Sequence, residues 1–154
     1  MIEETKILIK EVSGEYAPEI SDLIVKTLLE TNSKDYPQNI ILKVVSNFSP
    51  DKLKLLMKQR QTFVAILNDE VIGTAAIEEN FIRTVFILPN NQKYGVGKLL
   101  VQHIEQIAFK KGYSSLKVSS SITAEGFYVR LGYVALKDVY YGEERNILME
   151  KMLK

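Results

Sequence analysis

The chain contains no cysteine, which excludes disulfides, thiolate metal sites and covalent catalysis through a thiol. Histidine is nearly absent as well. The single His103 has neither a second histidine nor an acidic cluster to complete a ligand set, so no metal is expected. It lies beside the apolar stripe of a helix, where a boundary role is the ordinary one. Net charge is missing too: 20 Lys and Arg face 19 Asp and Glu, too even a balance to recruit nucleic acid or an anionic membrane. Neither partner is expected. No long apolar run resembles a signal peptide or a membrane span, and Met1-Ile2-Glu3-Glu4-Thr5-Lys6 leads straight into a strand-like run, so a cytoplasmic location is expected. Repeats, low-complexity tracts and linkers are also lacking. What is present is 154 residues, 46% hydrophobic and 25% charged. That size and balance fit one domain, residues 1–154, around one core.

Apolar spacing divides the chain. Ile7 to Val12 reads as a strand, and Pro18 opens a helix carrying Ile20, Leu23, Ile24 and Leu28, at helical intervals. A second helical pattern runs from Ile40 to Phe48, and Ser49-Pro50-Asp51 is a start signal for a third through Met57. The middle changes period: Thr62 to Leu67 and Val71 to Ile77 flank Asn68-Asp69 as strands flank a tight hairpin turn. A strand from Phe81 to Leu88 stops at Pro89, and a long helix follows from Val96 to Ala108, ended by Gly112. Leu116 to Ser119 is a further strand, and residues 123–131 form a short helix closed by Gly132. Tyr133 to Val139 and Ile147 to Met152 then make a final hairpin around Gly142.

The chemistry concentrates at Gln92-Lys93-Tyr94-Gly95-Val96-Gly97-Lys98, between a strand end and a helix start. The first N–H groups of a helix have no intrahelical partner and sit at the positive end of its dipole, and glycines permit unusual φ angles and close approach by phosphate. A diphosphate is the expected guest. A dinucleotide fingerprint would need a third glycine where Leu100 stands, and no Gly-Lys-Ser/Thr triplet makes a P-loop.

The segment QKYGVG, Gln92 to Gly97, resembles the acetyl-CoA loop of the GNAT superfamily, Gln/Arg-x-x-Gly-x-Gly/Ala, and its spacing from Pro89 matches too. A second family motif, Ala-x-x-Phe-Tyr-x-x-x-Gly-Phe, is matched by AEGFYVRLGY from Ala124 to Tyr133, with tyrosine in place of the last phenylalanine. The resemblance covers Thr62 to the C-terminus. It implies an α/β fold: a mixed, mostly antiparallel sheet flanked by helices, with a splayed fourth and fifth strand pair. It also implies an acetyltransferase that takes acetyl-CoA as acyl donor and a primary amine as acceptor; monomer and homodimer are both left open by the sequence.

On this resemblance the coenzyme is expected at Ile87 and at Gln92, Lys93, Tyr94, Gly95, Val96, Gly97 and Lys98, with Ser121 and Arg130 nearby. Many relatives carry asparagine where Ser121 stands. Each residue also has an ordinary explanation: the glycines as a tight turn, Lys93, Lys98 and Arg130 as surface cations, and Tyr128 as a core ring with its hydroxyl at the rim. The motif position of Tyr128 implies the general acid for the departing thiolate. Glu79 is one possible base and Glu78 a weaker one: strand alternation extended back from Ile87 puts Glu79 on one face with Phe81, Arg83 and Val85, although a charged hairpin is the common explanation for both. An N–H at or near Ile87 would polarise the thioester carbonyl. A module that binds acyl-CoA without turnover is the alternative function, and the acceptor would be shaped by residues 32–48 and by the last hairpin.

Overall fold

The computed structural model describes residues 6–154, apart from the side chain of Lys93; the Met1–Thr5 portion of the N-terminal reading lies outside the described residues. The order of elements is β1 (Leu8–Val12), α1 (Ala17–Glu30), α2 (Gln38–Ser46), α3 (Pro50–Gln59), β2 (Gln61–Leu67), β3 (Glu70–Glu78), β4 (Phe81–Ile87), α4 (Val96–Lys110), β5 (Ser115–Ser121), α5 (Glu125–Arg130), β6 (Val134–Tyr141) and β7 (Glu144–Met152). Local chemistry sets several of these limits. Ser49 caps α3 by accepting the Lys52 N–H at 3.4 Å. Asn68 and Asp69 both have positive φ, 53° and 65°, as the tight turn between β2 and β3 requires.

The strands form one seven-stranded sheet in the order β1-β2-β3-β4-β5-β7-β6. Neighbours are antiparallel except β4 and β5, which matches the sheet implied by the resemblance. Alternation along each strand sends side chains to two cores. On one face Phe63, Ala65, Ile82 and Ile87 pack under α4 through Val96, Leu100, Val101 and Ile104. On the other, Val64 and Phe86 meet α1 and α3 through Ile20, Ile24, Leu28 and Leu53. α1 and α4 run against the middle of the sheet on opposite faces, and each contacts β4.

The parallel pair is short. Only Phe81↔Lys117 and Ile82↔Val118 are in register, after which β4 and β5 diverge. A bulge helps separate them: Thr74 pairs with Phe86 and Ala76 with Arg83, so Thr84 and Val85 together face Ala75. Thr84 takes φ 49° there, a strained value for a β-branched residue. The result is a V-shaped opening bounded by the last half of β4 and the last half of β5.

Candidate active site

The opening is a cleft of about 940 Å³ lined by β4, β5, the start of α4, α5, the α1–α2 connection and the end of the β6–β7 hairpin. Backbone alternation sets its β4 edge. The Leu88 N–H bonds to Ile72 O at 2.9 Å, so Leu88 faces β3 and Ile87 turns its N–H and C=O the other way, into the gap left by β5. The Ile87 carbonyl accepts from Gln92 Nε2 at 3.0 Å and from Thr27 Oγ1 at 3.2 Å. Gln92 therefore ties the loop to the strand end with its side chain.

From Pro89 to Tyr94 the chain makes a 3₁₀ turn, and Gly95 then breaks it with φ 75°. A Cβ on Gly95 would meet nothing within 4 Å, so the loop crest is open above the first turn of α4. The first α-type bond there is Leu99 N–H to Gly95 O at 3.1 Å, leaving the N–H groups of Val96, Gly97 and Lys98 ahead of the ladder at the positive end of the dipole. This arrangement fits a diphosphate. The two glycines differ in purpose. A Cβ on Gly97 would lie 3.0 Å from the Phe127 ring and 3.6 Å from Ile87, so Gly97 is small because α5 packs against it. Val96 is buried and contributes backbone alone, whereas Tyr94 and Lys98 are exposed.

Tyr128 is 3% exposed and lines the cleft from α5. Its ring stands edge-on to Phe127 at 5.0 Å and to Tyr133 at 5.6 Å. Burial pushes its phenol well above the ordinary tyrosine range, so it is protonated throughout the neutral and mildly alkaline range. Tyr133, where the motif has phenylalanine, donates its hydroxyl to Glu105 Oε2 at 2.7 Å, and Lys151 Nζ bonds the same carboxylate at 3.2 Å. The extra oxygen is thus satisfied away from the cleft. Ser121 lines the cleft, with its Oγ accepting the Ala124 N–H at 3.1 Å, which shapes the loop into α5. Arg130 is exposed on α5 and lines the same cleft.

Glu79 does not join this group. It sits in the turn between β3 and β4 with φ 55°, exposed and outside the described cleft lining. The alternation expected to carry it onto the face of Arg83 fails because the left-handed turn interrupts the strand before Phe81. It also stands at the closed end of the V, beside the paired residues rather than the splayed ones.

Other residues reach the cleft without any local signature. The Tyr36 hydroxyl accepts the Ile122 N–H at 2.7 Å and lies 2.9 Å from Arg145 O and 2.8 Å from Asn146 Oδ1. It fastens the α1–α2 connection across β5 and β7. Burial raises its pKa. Glu144, bonded by Asn146 Nδ2 at 3.0 Å, is the one carboxylate among the described lining residues, against the cations Arg60, Arg83, Lys98 and Arg130. Tyr36 and Glu144 fall in the two regions expected to shape the acceptor site. Among the described residues no cluster of His, Asp or Glu could hold a metal, and no helix is long and apolar enough to cross a membrane.

Residues 28–154 match the Acetyltransferase (GNAT) domain family. The chain belongs to that family. Uncharacterized protein YyaT of Bacillus subtilis strain 168 is 31% identical over 87 residues, which are 54% of this chain and 59% of that protein. This chain therefore spans less than two thirds of that relative's length. The fold recurs in a GCN5-related N-acetyltransferase from Rhodopseudomonas palustris, with TM-score 0.91 and 23% identity over 99% of each chain. It recurs also in the PaiA N-acetyltransferase of Thermoplasma acidophilum in complex with coenzyme A, with TM-score 0.79 and 19% identity over 96% of this chain and 99% of that one.

Proposed function

We propose that this chain is a single-domain N-acetyltransferase that moves the acetyl group of acetyl-CoA directly to a primary amine. The observation that carries this reading is the junction of the splayed β4 edge with the open Gly95 loop: Ile87 faces the gap a few residues before the free N–H groups of α4. The diphosphate is held by the N–H groups of Val96, Gly97 and Lys98, with the Lys98 and Arg130 side chains as nearby cations. The pantetheine arm runs between β4 and β5, which brings the thioester toward Ile87 and Tyr128. Coenzyme A in the Thermoplasma structure supports the same guest for this cleft.

In the reaction the neutral amine attacks the thioester carbonyl carbon, forming the C–N bond while the carbonyl oxygen gains charge. The Ile87 N–H is available to receive that charge, because β3 does not use it. Collapse breaks the C–S bond, and Tyr128 gives its proton to the leaving thiolate. The N–H proton released once the C–N bond has formed restores Tyr128 through water; before attack, the acceptor's ammonium proton passes to Glu144, directly or through water, since Glu144 is the carboxylate the cleft supplies where Glu79 does not. A lysine-like amine with pKa near 10.4 is only about 0.1% neutral at pH 7, so removal of this proton from the ammonium form is a sizeable part of the work.

The test is thiol release from acetyl-CoA over a panel of amines with the full chain. Amine-dependent release, with acetylated amine as product, is expected. Coenzyme binding with no turnover on any amine would favour the acyl-CoA sensor instead.

A further inference from the structure

One group of charges in the cleft has no part in the chemistry above. Arg60, at the entry to β2, and Arg83, in β4, both line the cleft, and Glu78 stands between them. Arg83 shares the α1-side face of the sheet with Phe81 and Phe86, which is the side opposite α4. Its guanidinium carbon lies 4.6 Å from the Phe81 ring centroid, a stacking contact that fixes the side chain without neutralising it.

The single carboxylate ion-pairs with both arginines but hydrogen-bonds only Arg60. Glu78 Oε1 accepts from Arg60 Nε at 3.2 Å, while Arg83 Nε is 3.7 Å from the same oxygen, too far for a hydrogen bond. Arg83 Nε is buried and has no hydrogen-bond partner among the described residues. The cluster thus holds two guanidinium charges against one carboxylate, and the arginine side chains are only 15% and 32% exposed. A partly desolvated cation with a donor left unfilled is a receptor for a carboxylate, because guanidinium and carboxylate match in plane and spacing. Arg83 lies in strand just before the Thr84 bulge, and the bulge leads to Ile87, so an anion held there sits on the same strand as the oxyanion donor. Across the cleft stands Glu144, suited to an ammonium.

We propose that the acceptor is an amine that also carries a carboxylate, and that Arg83, supported by Arg60, binds that carboxylate on the α1 side of the cleft. This rests on the acetyltransferase reading for its chemistry, but its binding half is measurable without turnover. The opposite placement of Arg83 and Glu144 orients such a molecule with its nitrogen away from the arginines. Polycationic acceptors are disfavoured for the same reason.

The probes are γ-aminobutyrate and δ-aminovalerate, each beside its carboxamide, together with glycine, leucine, lysine and glutamate beside theirs. Binding is measured by calorimetry with the full chain saturated in CoA, and turnover by thiol release. At least one carboxylate member should bind about tenfold or more tighter than its amide, the size of a charge-assisted hydrogen bond or two. In Arg83→Gln the two members should become equal, in Arg83→Lys part of the preference should return, and CoA affinity should stay unchanged in both. Unchanged CoA affinity also certifies the fold of each variant, and Arg60→Gln serves if Arg83→Gln does not fold. Amides that bind as well as every carboxylate, an equal loss for both members in Arg83→Gln, or a fall in CoA affinity in folded Arg83→Lys would each overturn the proposal. If the carboxylate preference appears and depends on Arg83 while no amine releases thiol, the anion site stands and the acetyltransferase reading fails.

Discussion

Tyr128→Phe isolates the general acid. The substitution removes one oxygen and keeps a ring that is 3% exposed and edge-on to Phe127 at 5.0 Å and Tyr133 at 5.6 Å. Each such pair contributes about 0.5–1.5 kcal/mol, and both survive, so stability should change by less than about 1 kcal/mol. A leaving thiol with pKa near 8.5, like that of cysteine, departs as an anion that the Tyr128 proton meets; losing that donor should cost the factor of roughly 10²–10⁴ typical of general acids. The lower figure is about 2.7 kcal/mol in the barrier. The interaction strengthens only as sulfur gains charge, so kcat should fall with little change in CoA affinity. Steady-state kinetics with the best acceptor, beside a CoA titration, measure both. A kcat within about threefold of the parent would return Tyr128 to a packing role.

Three other outcomes follow from the geometry. Gly95→Glu puts a side chain and a like charge above the open loop crest, where φ is 75°, and should abolish measurable CoA binding by calorimetry with the fold retained by circular dichroism; unchanged affinity in a folded variant refutes the loop assignment. Tyr36→Phe strips the hydroxyl that accepts from Ile122 and bridges to β7, so it should cost about 1–3 kcal/mol, a fall of several degrees in Tm, and raise the acceptor KM more than that of acetyl-CoA. The alkaline limb of stability should begin near pH 10: burial raises the folded pKa values of Tyr128 and Tyr133 above the unfolded value, so their contribution is present below about pH 10 and is lost as pH rises above it. Chemical denaturation at several pH values checks this, and Tyr128→Phe should lose less stability there than the parent.

The parts legible in the sequence are those with local causes. The Asn68-Asp69 turn could be read because few residues accept positive φ at two successive positions, and the α4 loop because an anion site at a helix start needs its glycine within one turn. The splay of β4 and β5 followed only from resemblance, since the Thr84 bulge leaves no turn residue in Phe81 to Ile87. The place of Glu79 was not legible, because its φ of 55° takes it out of the strand conformation and the alternation of β4 does not extend to it. Arg60, Tyr36 and Glu144 are brought to the cleft from separate elements by tertiary packing, which no periodicity records. Arg83 did carry a signal: an arginine inside the apolar run Phe-Ile-Arg-Thr-Val-Phe-Ile must find a partner or a purpose.

The most direct test follows the acetyl group itself. Acetyl-CoA radiolabelled in the acetyl carbon is incubated with the full chain and the preferred amine, and label is counted in the separated protein and amine while free thiol is measured. Direct transfer places the label on the amine, in step with thiol release and with no labelled protein at any time. Label held by the protein before it reaches the amine, or no amine-dependent label in any product, would contradict it.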